Sequence, residues 1–170
     1  MAYWICGIYM GHYGFFKQIS KSDFLSVSWT AYSYTHYPAL QFINKELPDN
    51  SKILIAGDAR SFYIKKKFIA SSAFDVSPLA EYAKSSKNAT EMYIKMRKNE
   101  ITHILLNVAE AQRLEKGYGI FDWDSRSSEL LKEFFEKYTL DIFVKKEKIE
   151  NNGRVFINRI SVLELTDKSK

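Results

Sequence analysis

The sequence predicts an α/β fold: a three-layer, Rossmann-like, mainly parallel sheet with a C-terminal antiparallel hairpin strand. Three observations predict it. Two short apolar runs, KILIAG at 52–57 and THILLN at 102–107, are bounded by turn residues, as strands buried on both faces should be. Amphipathic segments with apolar residues at three- and four-residue spacing separate these runs. Near the end, two strand-like segments flank Asn151-Asn152-Gly153, a tight-turn signal that predicts a hairpin.

The elements follow in order. Residues 1–35 form an aromatic leader and connector, residues 36–166 the α/β domain and residues 167–170 a tail. Residues 18–35 mix Ser and Thr with aromatics and have no clean period, so they read as a connector holding at most one short helix. Pro38 suits the first turn of a helix, where its missing N–H leaves no bond unmade, and Leu40, Ile43 and Leu47 mark its apolar face. Pro48-Asp49-Asn50-Ser51 stops that helix before the first strand. A short helix over 61–66 and a strand over 67–70 come next.

Ser77-Pro78 opens a helix reaching about Lys84. Asn88 followed by Glu91 has capping-box spacing and starts another, with Met92 and Met96 on one side. After the THILLN strand, residues 109–116 form a helix for which Gly117 is the expected left-handed cap. Asp124 or Ser125 caps the clearest helix, whose inner face carries Leu130, Leu131, Phe134 and Phe135. On its outer side Glu133 stands four residues before Lys137, a favourable pair. Strands over 139–144 and 155–165 complete the chain.

The chain's 170 residues favour one domain, and 46% hydrophobic with 26% charged residues excludes disordered and collagen-like classes. Cys6 is the sole cysteine, so a disulfide-stapled scaffold is excluded as well. The formal charge is +5, and nine of the basic residues lie between Arg60 and Lys98 against Asp75, Glu81 and Glu91. Such a surface attracts anions generally; with only Lys65, Lys66 and Lys67 in a run, it also reads as a solvated face. No nucleic-acid-binding motif accompanies it.

The first sixteen residues carry no charge and are rich in Tyr, Trp, Ile and Phe. They fall short of the ~20 apolar residues of a spanning helix and lack the basic start of a secretory signal. Two readings stand: the tail of a transmembrane helix, or an element packed on the domain. Aromatic rings suit the membrane–water boundary, and Gly7, Gly11 and Gly14 are better tolerated in lipid than in an isolated aqueous helix, which favours the first.

Catalytic signatures are sparse. The first strand ends Ala56-Gly57-Asp58-Ala59-Arg60, which is neither a GxGxxG turn nor a GxSxG elbow, and no GxxxxGK[ST] loop occurs, so no cofactor is implied. Asp58 and Arg60 at a strand's carboxyl end are candidates for contacts to a sugar hydroxyl and a phosphate; the alternatives are that they pair with each other or cap the following helix. A phosphoacceptor domain would need an aspartate where Asn107 stands. His12, His36 and His103 lack metal-ligand spacing, so no metal site is predicted. Asp122-Trp123-Asp124 combines carboxylates and an aromatic as sugar-binding sites do, although Asp124 also reads as a helix cap. Asn88-Ala89-Thr90 fits a glycosylation acceptor, but capping explains Asn88 better.

One stretch is distinctive: Tyr37-Pro38-Ala39-Leu40-Gln41-Phe42-Ile43-Asn44, then Leu47-Pro48, Lys52-Ile53-Leu54, Gly57-Asp58-Ala59-Arg60 and Phe62-Tyr63, with Ile101-Thr102-His103-Ile104-Leu105-Leu106-Asn107 later. It resembles the C-terminal soluble domain of polytopic membrane glycosyltransferases of the protein mannosyltransferase and lipid A aminoarabinose transferase group. The resemblance spans about residues 36–107. It implies an extracytoplasmic accessory domain, a cell-membrane location, a leader that ends a transmembrane helix, and a polyprenyl-phosphate sugar donor as partner. It carries over no catalytic residue, because the family's catalytic aspartate lies in a loop among membrane helices. Asp58, Arg60 and Tyr63 match the motif, without an assigned role. The competing expectation is a free-standing module binding a nucleotide or phosphorylated metabolite at Asp58 and Arg60.

Overall fold

A computed structural model describes residues 20–26, 34–121, 124–151 and 154–168. The predicted leader, residues 1–17, lies outside them, as do Asp122, Trp123 and the hairpin turn at 152–153. Among the described residues no helix is long and apolar enough to cross a membrane.

In chain order the elements are α1 (Lys21–Ser26), α2 (Tyr37–Glu46), β1 (Lys52–Ala56), β2 (Lys67–Ile69), α3 (Pro78–Ser85), α4 (Ala89–Lys98), β3 (His103–Asn107), α5 (Val108–Tyr118), α6 (Ser125–Tyr138), β4 (Thr139–Asn151) and β5 (Arg154–Leu165). The strands form one five-stranded sheet in the order β2-β1-β3-β5-β4. β1 pairs in parallel with β2 and β3; β5 is antiparallel to both β3 and β4.

The fold is therefore α/β, but the sheet is mixed rather than mainly parallel. The C-terminal hairpin adds two strands, and its second strand, β5, is inserted between β3 and β4 rather than forming the edge. Its apolar residues Ile160, Val162 and Leu163 are buried, which requires an interior position; β4, with Lys and Glu along its length, takes the edge.

Alternation along the strands feeds two cores. Ile53 and Ile55 of β1, with Leu105 and Val162, pack against Ala39, Leu40 and Ile43 of α2. Leu54, Ala56 and Ile104 point to the other side and meet Leu79, Met92, Met96 and Phe134 from α3, α4 and α6. Local signals place the helix starts. Asn88 Oδ1 accepts from the Glu91 N–H at 2.9 Å, and Glu91 Oε2 returns a bond to the Lys87 N–H at 2.7 Å. Asp124 Oδ1 accepts from the Ser127 N–H at 2.6 Å, and Glu133 pairs with Lys137 at 2.7 Å.

Three boundaries differ from the sequence reading. Residues 61–66 contain a turn and no helix, because Asn44 takes their backbone groups: its Nδ2 donates to the Tyr63 carbonyl and its Oδ1 accepts from the Lys65 N–H, both at 2.8 Å. α5 runs on through Gly117 to Tyr118, and the left-handed cap is Gly119, φ 65°. β4 continues to Asn151 instead of stopping near Val144, because β5 pairs with it throughout.

Candidate functional site

The carboxyl ends of the parallel strands are the usual ligand crevice of an open α/β sheet, above all where consecutive connections leave a strand in opposite directions. Here that point lies between β1 and β3. Gly57, φ 75°, turns the chain there and lets α5 lie against it: a Cβ at this position would stand 2.8 Å from Ala111 Cα. Only glycine fits both the angle and the space.

Asp58 follows, with its side chain fully buried. Its carboxylate accepts four hydrogen bonds: the Arg60 N–H at 2.9 Å, Arg60 Nε at 2.8 Å, Arg60 Nη2 at 2.6 Å and Asn107 Nδ2 at 3.0 Å. The buried His36 ring stands beside it. Nδ1 is 2.9 Å from Asp58 Oδ2, at ion-pair distance but not aligned as a hydrogen bond. Nε2 donates to the Arg60 carbonyl at 2.7 Å, since a carbonyl oxygen can only accept. Burial alone would raise the Asp58 carboxyl, but the Arg60 guanidinium and the His36 ring outweigh it and hold the group well below the usual carboxylate range.

The network extends in both directions. Arg60 Nη2 and Asn107 Nδ2 donate to the Tyr34 carbonyl at 3.2 and 2.7 Å, where Tyr34 adopts the left-handed φ of 56°. Asn107 Oδ1 accepts from Asn158 Nδ2 at 3.3 Å, and Asn158 Oδ1 accepts from the Ala109 N–H at 2.9 Å. Asn158 of β5 thus satisfies a first-turn N–H of α5 that the preceding Asn107, engaged elsewhere, does not cap. Glu110, buried, takes Arg113 through two bonds of 2.8 Å and lies 4.0 Å from Arg60 Nη2.

Of the sequence-predicted residues, Asp58 and Arg60 come together and pair with each other. Tyr63 is held elsewhere by rings, edge-on to Tyr37 at 5.3 Å, with Lys21 Nζ 4.7 Å above its face. Asp124 caps α6, and Asp122 lies outside the described residues. Sequence reasoning missed His36, Asn107 and Asn158 as members of one cluster. No local signal marks them, since each reaches Asp58 or its partners across 22 to 51 positions of sequence.

Chemically, an ionised, enclosed carboxylate with four donors already engaged has no lone pair to offer a substrate, and a phosphate at Arg60 would meet Asp58 and Glu110. The arrangement is a latch that fastens residues 34–36 to the ends of β1 and β3. Among the described residues no group of three or more His, Cys, Asp or Glu is placed to hold a metal ion. An apolar cleft of about 390 Å³ lies apart from the latch, between α5 and α6, with Val108, Phe121 and Phe135 in its walls. No family model, curated protein or solved structure matches the chain.

Proposed function

We propose that this chain is an accessory extracytoplasmic domain of an integral membrane glycosyltransferase that uses lipid-linked sugar donors. What supports the reading is the fate of the Gly57–Arg60 motif, which carries the resemblance. Gly57 seats α5, and Asp58 and Arg60 hold the connector at Tyr34 and His36, so the motif fixes the domain to the chain that precedes it. A domain working beside a membrane-embedded centre needs such a rigid attachment more than a crevice of its own. In this reading the three parallel strands are a Rossmann-like three-layer core, extended by the hairpin, and the aromatic leader ends a transmembrane helix.

The test uses the natural gene with alkaline phosphatase fused after Lys170. Membrane sedimentation with active phosphatase is expected, together with transfer of sugar from a polyprenyl-phosphate donor by those membranes. A fusion found in the soluble cytosolic fraction with inactive phosphatase overturns the proposal.

A further inference from the structure

β4 and β5 outrun the rest of the sheet. The last residue of β3 paired with β5 is Asn107, opposite Ile160, yet the two hairpin strands stay paired through Asn151 and Arg154. Six residues of β5 beyond Ile160 give a two-stranded ribbon extending on the order of 20 Å past the end of β3. A lone ribbon in water is marginal unless something supports a face.

Its two faces differ. Residues directly opposite in an antiparallel pair share a side, so Val144, Lys146, Lys148 and Glu150 of β4 stand on one side with their respective partners Ser161, Arg159, Ile157 and Val155 of β5. Val144, Lys146, Lys148, Arg159, Ile157 and Val155 are exposed, Ile157 at 68% and Val155 at 53%. The opposite face holds buried Asn158 and Ile160 and half-buried Lys145, whose Nζ donates to the Ser26 carbonyl at 3.4 Å. That bond and the latch put the ribbon's base beside the connector, at the same end of the sheet. Residues 144–160 carry five Lys and Arg against two Glu. Arg159 pairs with Asp141 at 2.6 Å, and among the described residues the side chains of Lys146 and Lys148 have no ion-pair partner. Exposed β-branched residues beside exposed lysines make this face amphipathic. The surface complements an anionic lipid interface, where aliphatic groups enter the headgroup boundary and lysines meet phosphates.

We infer that the outward face of the β4–β5 ribbon docks on the anionic surface of the bilayer, beside the point where the connector arrives. The inference rests on the membrane reading above and adds the contact surface to it.

The test uses the full chain with Cys6→Ser, labelled with nitrobenzoxadiazole at Ile157→Cys or, as control, at Ile94→Cys on α4, another exposed apolar position. Vesicles of phosphatidylcholine alone are compared with vesicles containing phosphatidylglycerol. The label at 157, not at 94, is expected to shift to the blue on the anionic vesicles. Changing both Lys146→Gln and Lys148→Gln is expected to weaken partitioning roughly 30-fold at low salt, with the melting temperature unchanged. Binding with no shift at 157 and no loss in the double variant overturns the ribbon assignment and leaves the membrane reading standing. Failure of every form to bind any vesicle overturns both. A blue shift at 157 that grows with protein concentration without vesicles overturns the lipid assignment in favour of a second copy of the chain.

Discussion

Replacing Asp58 by Asn keeps the shape of the side chain, removes its charge and turns one acceptor oxygen into a donor. That donor must then face Arg60 or Asn107, which are donors themselves. Breaking a buried pair from one side costs about 3–5 kcal/mol in general. The Arg60 side chain is 29% exposed and keeps part of its hydration, so the lower end applies, about 3 kcal/mol. At roughly 2–4 °C per kcal/mol for a domain of this size, the melting temperature should fall by about 6–12 °C at pH 7. The pH dependence is the sharper test. The folded carboxyl binds its proton less readily than the unfolded one, so between the two values the unfolded chain takes up more protons and acid favours unfolding. The contribution of Asp58 is thus complete above the ordinary carboxylate value of 3.8 and is lost progressively below it. Melts followed by circular dichroism from pH 8 to pH 2.5 should show a constant gap between wild type and Asp58→Asn down to about pH 5, then a narrowing one. Other carboxylates held low, such as Asp49, Glu91 and Asp124, are common to both proteins and cancel in the difference. A variant melting within 2 °C of wild type at pH 7, or a gap that stays constant into acid, would refute the latch.

Gly57→Ala forces a Cβ against Ala111 at a left-handed φ, and chemical denaturation should register a loss of about 2–4 kcal/mol. Gly117 and Gly119 should respond oppositely. Gly117→Ala, inside α5 with open space around it, should stabilise by about 0.5–1 kcal/mol, whereas Gly119→Ala at the left-handed cap should destabilise by about 1 kcal/mol; equal effects would put the end of α5 elsewhere. Burial holds the His103 imidazole below its ordinary value, with Arg97 adding to this and Glu164 opposing it. Protonation on acidification therefore favours the unfolded chain from about pH 6.5 downward. Wild type should lose more stability between pH 7.5 and 5.5 than His103→Gln, as measured by urea midpoints; parallel losses would refute this.

What was legible in the sequence was local. Asn88 and Asp124 announce their helices because a cap acts over three residues, and Pro38 and Pro78 because each suits a first turn. KILIAG and THILLN read as strands because burial on both faces makes a short, nearly continuous apolar run, ILIA in one and ILL in the other. β4 was half-hidden for the opposite reason. Past Val144 its Lys and Glu residues read as surface chain, and only pairing with β5, a partner whose position is set by tertiary packing, extends it. Gly119 lost to Gly117 in the sequence because both are glycines near the end of an amphipathic stretch, and the choice rests on how far the apolar face runs. The candidate site was legible only as Asp58 and Arg60. Whether that pair would face a ligand or each other depended on His36, Asn107 and Asn158, which arrive from three other elements and follow no local pattern.

The position of the latch sets the shape of this end of the sheet. In dinucleotide-binding sheets the turn after the first strand is Gly-rich and leaves N–H groups free at a helix N-terminus for the pyrophosphate. Here α5 starts directly after Asn107 and lies against Gly57, so the space is closed by backbone rather than by a movable side chain. The N–H of Ala109 is already bonded to Asn158. Opening the crevice would require parting α5 from Gly57 and breaking the Asn107–Asn158 bond, which also ties β3 to β5 and hence to the base of the ribbon. Connector, α5 and ribbon therefore form one mechanical unit at this end of the sheet.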